Sequence, residues 1–198
     1  TPITEDSLLT GKLEKTNQCY AIAKIAGIKL CETLYEDHNL DILCLMPTNV
    51  YGDNDNFDKV NGHVIPAMIT KFIEAKKKKS KFIKLLGTGK PIREFIHSND
   101  LAEAIIKCLK FPKRKLQRKF KSKLPLINVG TGQTISISNL SKSIAKFLNF
   151  KGKIIFDKNF PDGTHKKNLN SKNIYSLGWR PKVKLQEGLK KVIKNRLN

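Results

Sequence analysis

The segment Tyr20-Ala21-Ile22-Ala23-Lys24-Ile25-Ala26-Gly27 sets a phenol and an ammonium four residues apart in a stretch that is otherwise apolar. On a helix four residues make about one turn, so both side chains project from one face. A cation beside a phenol favours the phenolate, which suits the phenol to donate a proton to a reducible carbonyl. The same spacing also fits a half-buried tyrosine beside a lysine that extends to solvent. The rest of the sequence decides between these interpretations.

Several further stretches accompany this segment. Before and after it come Asn17-Gln18-Cys19, Met46-Pro47-Thr48-Asn49-Val50-Tyr51-Gly52 and His63-Val64-Ile65-Pro66-Ala67, and later Pro91–His97, Ile127–Gly132, Pro161–Thr164 and Leu177-Gly178-Trp179. Together they resemble the GDP-L-fucose synthase family, a branch of the extended short-chain dehydrogenase/reductases, over residues 1 to about 197. One stretch, Met46-Pro47-Thr48-Asn49, separates this family from its relatives, because other branches usually carry Arg-x-x-Asn-x-Tyr-Gly-Pro there.

The resemblance implies an α/β fold: the C-terminal part of a Rossmann-like NAD(P)-binding parallel sheet, interleaved with a smaller substrate-binding domain. It places residues 1–50 and 94–132 in the Rossmann-like domain and residues 51–93 and 133–198 in the substrate domain. The implied activity is NADPH-dependent 3,5-epimerisation and 4-keto reduction of GDP-4-keto-6-deoxy-D-mannose. A homodimer formed through the Tyr20–Lys24 helix is implied as well.

A Gly-rich turn between a strand and a helix, which would hold the pyrophosphate of a dinucleotide, does not occur in these 198 residues. The chain begins with Thr1 and resembles roughly the C-terminal two-thirds of the family. We therefore expect an N-terminally truncated fragment that lacks the Gly-rich loop and the family's catalytic Ser and Cys. Made alone, such a chain is expected to bind NADPH weakly or not at all.

The resemblance assigns site residues at matching positions. Tyr20 would donate a proton to the C4 oxygen, Lys24 would tune that phenol and bind the nicotinamide ribose, and His63 would exchange protons at C3 and C5. The full set comprises the catalytic Tyr20, Lys24 and His63, the cofactor-binding Lys24, Pro47, Thr48, Asn49, Val50 and His63, and the substrate-binding Lys71, Leu86, Arg93, Asp162 and Lys167. No metal site is expected.

Several of these residues have a plainer interpretation. His63 precedes a helix and could be a neutral capping residue, Asn49 could satisfy loop backbone, and Lys71 could be a solvated helix lysine. Arg93 follows the short turn Gly87-Thr88-Gly89, where a guanidinium can bind phosphate in a bidentate manner. Leu86 departs from the family, some members of which have Trp there, so guanine recognition is the weakest part of the assignment.

The net charge of +21, from 38 basic and 17 acidic residues, raises the question of nucleic acid. The excess is nearly all lysine, is spread along the chain and comes without a nucleic-acid-binding motif. We therefore predict no specific nucleic-acid partner, and a basic surface that attracts NADPH and a nucleotide diphosphate sugar. Two rivals remain: a different extended reductase or epimerase, which would not need His63, and a noncatalytic nucleotide- or nucleic-acid-binding protein.

No apolar run approaches the ~20 residues that span a bilayer, and no signal peptide is evident. The four cysteines have no paired or metal-like spacing, which favours reduced thiols and a cytoplasmic location.

Periodicity and turn residues predict alternating helices and strands. Helices are expected over residues 18–37, 64–76, from Asn99 or Asp100 to 110, from Ser136 or Ser138 to 147, 171–176 and 185–196. Strands are expected over residues 40–46, 82–86, 93–96, 126–129 and 153–156. Residues 49–62 are predicted to be a loop and residues 111–123 a surface excursion.

Overall fold

A computed structural model of the protein describes residues 2–121 and 123–197. Its α-helices are α1 (Gln18–Asp37), α2 (Val64–Lys77), α3 (Ser98–Leu109), α4 (Lys113–Lys119), α5 (Ile137–Phe147), α6 (Lys172–Ser176) and α7 (Leu185–Leu197). Its strands are β1 (Cys44–Pro47), β2 (Asn49–Tyr51), β3 (Phe82–Leu86), β4 (Ile92–His97), β5 (Leu126–Val129), β6 (Thr134–Ser136), β7 (Lys153–Asp157) and β8 (Lys166–Lys167). Short 3₁₀ turns at Glu5–Ser7 and Lys15–Asn17 precede α1.

The strands form small, mostly parallel sheets. β1 pairs with β5, β2 with β4, β3 with β7 and β4 with β8, each in parallel, whereas β6 pairs with β4 antiparallel. Parallel neighbours need helical crossovers, which is the arrangement that strands alternating with helices predict. The predicted α/β class is confirmed.

Two apolar clusters lie on either side of β4. One is built around Phe72 of α2, Leu140 of α5 and Leu189 of α7, and it includes Phe95. The other contains Ile127 of β5 and Trp179, and it includes Ile96. Because successive strand residues point to opposite faces, the neighbours Phe95 and Ile96 each serve a different cluster.

The division into two domains remains a prediction. Its last segment, residues 133–198, contributes to both clusters, since Ile174, Leu177 and Trp179 pack in the second one.

The structure corrects four local expectations. The strand predicted at 40–46 is confined to β1, and the predicted loop 49–62 begins with β2, whose pairing with distant β4 leaves no local signal. The excursion 111–123 contains α4, because lysine and arginine are good helix formers and Leu116 is buried. The acceptor that caps α3 is the His97 side chain, which receives the Asn99 N–H, and not Asn99 or Asp100. Of the two predicted starts of α5, Ser136 is the cap.

Asp100 does not cap α3 but binds the segment before α7. Its carboxylate is buried, and its two oxygens accept the backbone N–H groups of Lys182 and Val183, each at 3.0 Å. These bonds attach the segment before α7 to α3. The nearby Glu103 lies on the same helix and binds the same segment only through an exposed ion pair with Lys182 Nζ.

Asp100→Asn is expected to lower the free energy of unfolding by about 2 kcal/mol, because an amide can accept only one of the two N–H groups and opposes the other. Glu103→Gln, the matched control, should cost less than about 1 kcal/mol, since exposed ion pairs contribute little. Urea unfolding measures both. Equal losses in the two variants would contradict this account of Asp100.

His97 is a buried imidazole that packs edge-on against Tyr51, with ring centroids 5.3 Å apart. Burial lowers the pKa of His97, and Lys191 lowers it further, whereas Asp53 and Asp100 act in the opposite direction. The folded state therefore prefers the neutral ring. This contribution to stability is complete above the unfolded pKa of about 6.5 and is lost as the pH falls below it.

His97→Asn keeps an acceptor that can cap α3 and removes the titrating ring. We expect the variant to be less stable at about pH 7.5 but to lose less further stability than the parent between about pH 7.5 and pH 5.5. Urea unfolding at the two pH values tests this. The exposed His38, changed to Asn, should leave the parent's pH dependence intact.

Candidate active site

Thr48 marks the point at which the chain leaves one sheet and enters another. Pro47 still pairs with Val129 of β5, whereas Asn49 already pairs with Phe95 of β4. The Thr48 N–H donates to the Val129 carbonyl at 3.0 Å and holds this junction. In parallel α/β sheets, ligands bind beyond the carboxyl ends of strands, at such changes of partner.

A cleft of about 670 Å³ opens at this junction. Of the predicted site residues it brings together Tyr20, Pro47, Thr48, Asn49, Val50, His63 and Lys167. The remaining lining residues are Asn17, Gly62, Val64, Ile65, Phe95, Asn168 and Leu169. None of these described lining residues is acidic, so the cleft suits an anionic ligand.

The wall that carries Tyr20 belongs to α1. The Lys24 ammonium lies one turn further along, 5.4 Å from the centroid of the Tyr20 ring. Lys24 is close to Tyr20 without itself lining the cleft. Within α1 the buried residue is Tyr35, while Tyr20, Ile22 and Leu30 are exposed. This apolar helix therefore buries little of its surface against the described part of the chain.

His63 stands at the N-cap position of α2, but its side chain makes no capping hydrogen bond. Its backbone carbonyl accepts the Ala67 N–H, as the first turn of a helix requires. The imidazole is largely exposed, and its Nδ1 lies 3.6 Å from Oδ1 of Asp55. Asp55 is the more buried partner, which leaves the imidazole accessible from the cleft.

One wall of the cleft, formed by Thr48 and Asn49, is fixed by one carbonyl of β4. The Glu94 carbonyl oxygen accepts the Thr48 hydroxyl at 3.0 Å and the Asn49 side-chain amide at 2.7 Å. The plainer interpretation of Asn49, that its side chain only hydrogen-bonds the backbone, is met in part, since its amide donates to the Glu94 carbonyl. Its position in the cleft is consistent with a ligand contact as well.

The remaining predicted residues lie outside the cleft. Lys71 is half-buried on α2, and Leu86 is exposed at the end of β3, next to the Gly87-Thr88-Gly89 turn. Arg93 donates through Nη1 to the carbonyls of Ile92 and Thr164, at 2.9 and 2.6 Å. Burial lowers the pKa of Arg93, and Glu14 and Asp162 oppose this, but a guanidinium remains a cation at neutral pH.

Asp162 is engaged by the protein itself. Its carboxylate accepts the Thr88 N–H at 2.9 Å and the Thr88 hydroxyl at 2.5 Å. The hydroxyl and N–H bonds from Thr88, aided by the charges of Lys90 and Arg93, lower the pKa of Asp162. The loop that leads to Lys167 is therefore closed onto the Gly-rich turn by Asp162 and onto β4 by Arg93.

Sequence reasoning missed the seven other lining residues named above and, beside the cleft, Asp55 and Glu94. One of them carried a signal, since Glu94 is an acidic residue directly before the apolar pair Phe95-Ile96 of β4. Asp55 sits in a loop rich in Asn and Asp, where nothing sets it apart.

The chain belongs to the NAD dependent epimerase/dehydratase family, whose model matches residues 1–130. It is 44% identical over 188 residues to a probable GDP-L-fucose synthase 1 of Oryza sativa subsp. japonica, covering 95% of this chain and 55% of that protein. It is 38% identical over 197 residues to the GDP-L-colitose synthase of Yersinia pseudotuberculosis, covering 99% of this chain and 61% of that protein. The chain thus spans little more than half the length of these curated relatives.

Among solved structures, the chain resembles a GDP-D-glycero-L-gluco-heptose synthase from Campylobacter jejuni, determined in the presence of NADPH. The TM-score is 0.87 at 29% identity, and the match covers 100% of this chain and 66% of that one. The predicted Rossmann-like class is confirmed by this likeness.

Within residues 2–121 and 123–197, no helix has the length and apolar character needed to cross a membrane.

Asp162→Ala is expected to open the loop before Lys167, because it removes both bonds to the Gly-rich turn. Hydrogen exchange should become faster at the Thr88 amide, and trypsin should cleave faster after Lys158. Asp58→Ala is the matched control, since Asp58 also accepts two backbone N–H groups but only from its neighbours Val60 and Asn61. If the two variants leave the Thr88 amide equally protected, Asp162 does not hold the loop.

Proposed function

We propose that this chain carries catalytic groups of an NADPH-dependent enzyme that epimerises C3 and C5 of GDP-4-keto-6-deoxy-D-mannose and reduces C4, giving GDP-L-fucose. The observation that carries the proposal is a single cleft onto which Tyr20 opens from α1 and His63 from the start of α2. A reduction with two epimerisations needs a proton donor for a ketone oxygen and a separate group that exchanges protons at carbon. These two side chains meet that need.

In the reduction, Tyr20 is the proton donor. Bound NADPH would supply the hydride for the new C4–H bond, and Tyr20 would transfer its phenolic proton to the C4 oxygen as negative charge develops there. Lys24, with its ammonium 5.4 Å from the Tyr20 ring, favours the resulting phenolate and can reach the nicotinamide ribose.

In the epimerisation, His63 is one of two exchanging groups. The C4 ketone acidifies the protons at C3 and C5, so an imidazole can exchange a proton on one face of the carbon, and inversion needs a second group on the opposite face. The accessibility of His63 and the absence of a side-chain capping bond support this role over that of a helix cap.

The rest of the cleft fits the ligands' charges. We propose that Pro47, Thr48, Asn49 and Val50 hold the nicotinamide end of NADP(H), while Lys167 meets the GDP diphosphate. Support comes from their shared cleft and from its lack of acidic lining among the described residues. Lys71, Leu86, Arg93 and Asp162 are proposed to shape the nucleotide side, the last two through the loop they hold closed.

A second candidate is the conversion of another GDP-linked ketosugar by the same groups. The names of the Yersinia and Campylobacter relatives favour it, since both are GDP-sugar synthases. A noncatalytic or nucleic-acid-associated protein has only the net charge of +21 in its favour.

We further propose a homodimer formed through α1 and a cytoplasmic location. The exposed apolar side chains Ile22 and Leu30 on α1 support the first, and the free thiols of Cys19, Cys31, Cys44 and Cys108 support the second.

The complete protein, incubated with GDP-4-keto-6-deoxy-D-mannose in D₂O, tests the proposal. Tyr20→Phe should slow oxidation of NADPH by ~10² to 10⁴ while deuterium still enters the sugar, and His63→Gln should slow deuterium entry by a similar factor. Mass spectrometry follows deuterium, and the absorbance of reduced nicotinamide follows hydride transfer.

Two controls match these variants. Tyr35→Phe alters a buried tyrosine on the same helix, and His38→Gln alters an exposed histidine just after it; both should behave like the parent. If His63→Gln exchanges normally at both carbons and still forms GDP-L-fucose, the epimerase role is wrong. If only other GDP-ketosugars react, the second candidate replaces the first.

A further inference from the structure

Glu94 is a fully buried acidic residue in the middle of β4. Its two carboxylate oxygens reach in different directions. Oε1 accepts the Gly132 N–H at 2.7 Å, and Oε2 accepts the Leu169 N–H at 2.8 Å. Among the described residues, no lysine, arginine or histidine forms an ion pair with it. Backbone N–H groups therefore replace the cation that a buried carboxylate usually needs.

The surroundings of Glu94 are shaped to receive this side chain. A Cβ at Gly130 would collide with Oε1, so glycine leaves the room that the carboxylate occupies. The Gly130 carbonyl is held in turn by the Tyr175 hydroxyl at 3.0 Å. The carboxylate thus sits in a built socket between β4, the turn after β5 and the segment after β8.

The main chain and side chain of Glu94 hold two different walls of the cleft. Its carbonyl binds Thr48 and Asn49, on the side proposed for the cofactor. Its carboxylate binds the backbone of Leu169, two residues after Lys167, on the side proposed for the GDP-sugar. Both Leu169 and Lys167 line the cleft, whereas the Glu94 side chain does not.

We propose that Glu94 is a positioning residue whose carboxylate sets the GDP-sugar wall relative to the cofactor wall. This inference rests on the proposed function. It predicts that a change of the Glu94 side chain weakens binding of the GDP-sugar but not of NADPH, because the backbone carbonyl that holds Thr48 and Asn49 remains in any variant.

Glu94→Gln is the informative substitution. A glutamine amide can accept only one of the two N–H groups, and its own NH₂ opposes the other, so Leu169 or Gly132 must move away. Asp100→Asn is the matched control. It too is a buried carboxylate that accepts two distant backbone N–H groups, but it lies away from the cleft.

In the complete protein, Glu94→Gln should raise KM for the GDP-sugar about tenfold, because binding must then reorder the Leu169 wall at about the cost of one charge-assisted hydrogen bond. KM for NADPH should stay within about twofold. Asp100→Asn should lower Tm to a similar degree and leave both KM values near those of the parent. Glu94→Asp, which keeps two acceptor oxygens on a shorter arm, should fall between the parent and Glu94→Gln, and it replaces Glu94→Gln if that variant does not fold.

Lys167 provides a second comparison. If Glu94 acts through the wall that carries Lys167, adding Glu94→Gln to Lys167→Ala should raise KM for the GDP-sugar by less than it does in the parent. Equal factors in the two backgrounds, or parallel rises in KM for NADPH and sugar, would overturn the positioning role.

Failure of the proposed function can be told apart from failure of the positioning role of Glu94. If the parent converts no GDP-sugar, the proposed function is wrong, and hydrogen exchange of the ligand-free protein then tests the role of Glu94. Glu94→Gln must then speed exchange at the Leu169 and Gly132 amides and leave the amides of Val50 and Tyr51 as protected as in the parent. Unchanged protection at Leu169, or equal loss on both walls, would refute it.

Discussion

The pairing of β4 with three other strands is the constraint on which the rest of the structure depends. Six residues, Ile92–His97, bind β2 in parallel, β6 in antiparallel fashion and β8 in parallel. Alternate side chains of the strand enter the two apolar clusters, and its Glu94 binds both walls of the cleft through carbonyl and carboxylate. If this strand moved, both clusters and both walls would move with it.

Features that depend on neighbouring residues could be predicted from the sequence. The helix carrying Tyr20 and Lys24, the Ser136 cap and the strand Phe82–Leu86 all follow from local periodicity and capping. The seven predicted cleft residues were found because short motifs resemble a known family, and not because spacing alone brings position 20 near position 167. β2 and β6 escaped prediction since each is three residues long and is defined by its pairing with β4.

The contacts of Glu94 and Asp162 could not be predicted from sequence for a related reason. Glu94 binds Leu169 across 75 residues, and Asp162 binds Thr88 across 74. Sequence reasoning placed Asp162 on the substrate because its motif lies there in relatives. A carboxylate's partner over such a separation is set by the fold, and no periodicity encodes it.

In the described part of the chain the buried acidic groups are not paired with basic side chains, so the excess of basic residues leaves the interior of the fold unaffected. Glu94 and Asp100 are satisfied by backbone N–H groups, while the lysines that form ion pairs, such as Lys59 and Lys182, are half exposed or more. Positive charge can thus accumulate on the surface without altering the interior. Screening of that surface by salt would act on ligand approach more than on folding.

The single-residue crossing at Thr48 has a consequence for how this protein can vary. Because the backbone passes from the β1–β5 sheet to the β2–β4 sheet within one residue, no flexible loop lies between Pro47 and Asn49 that could absorb a shift of either sheet. A methyl group lost near Ile127 or Phe72 would therefore shift the lining of the cleft well before the protein ceased to fold. Sequence drift in the two interiors is thus constrained by the geometry of the cleft, and interior positions that never meet a ligand should tolerate fewer replacements than their burial alone would require.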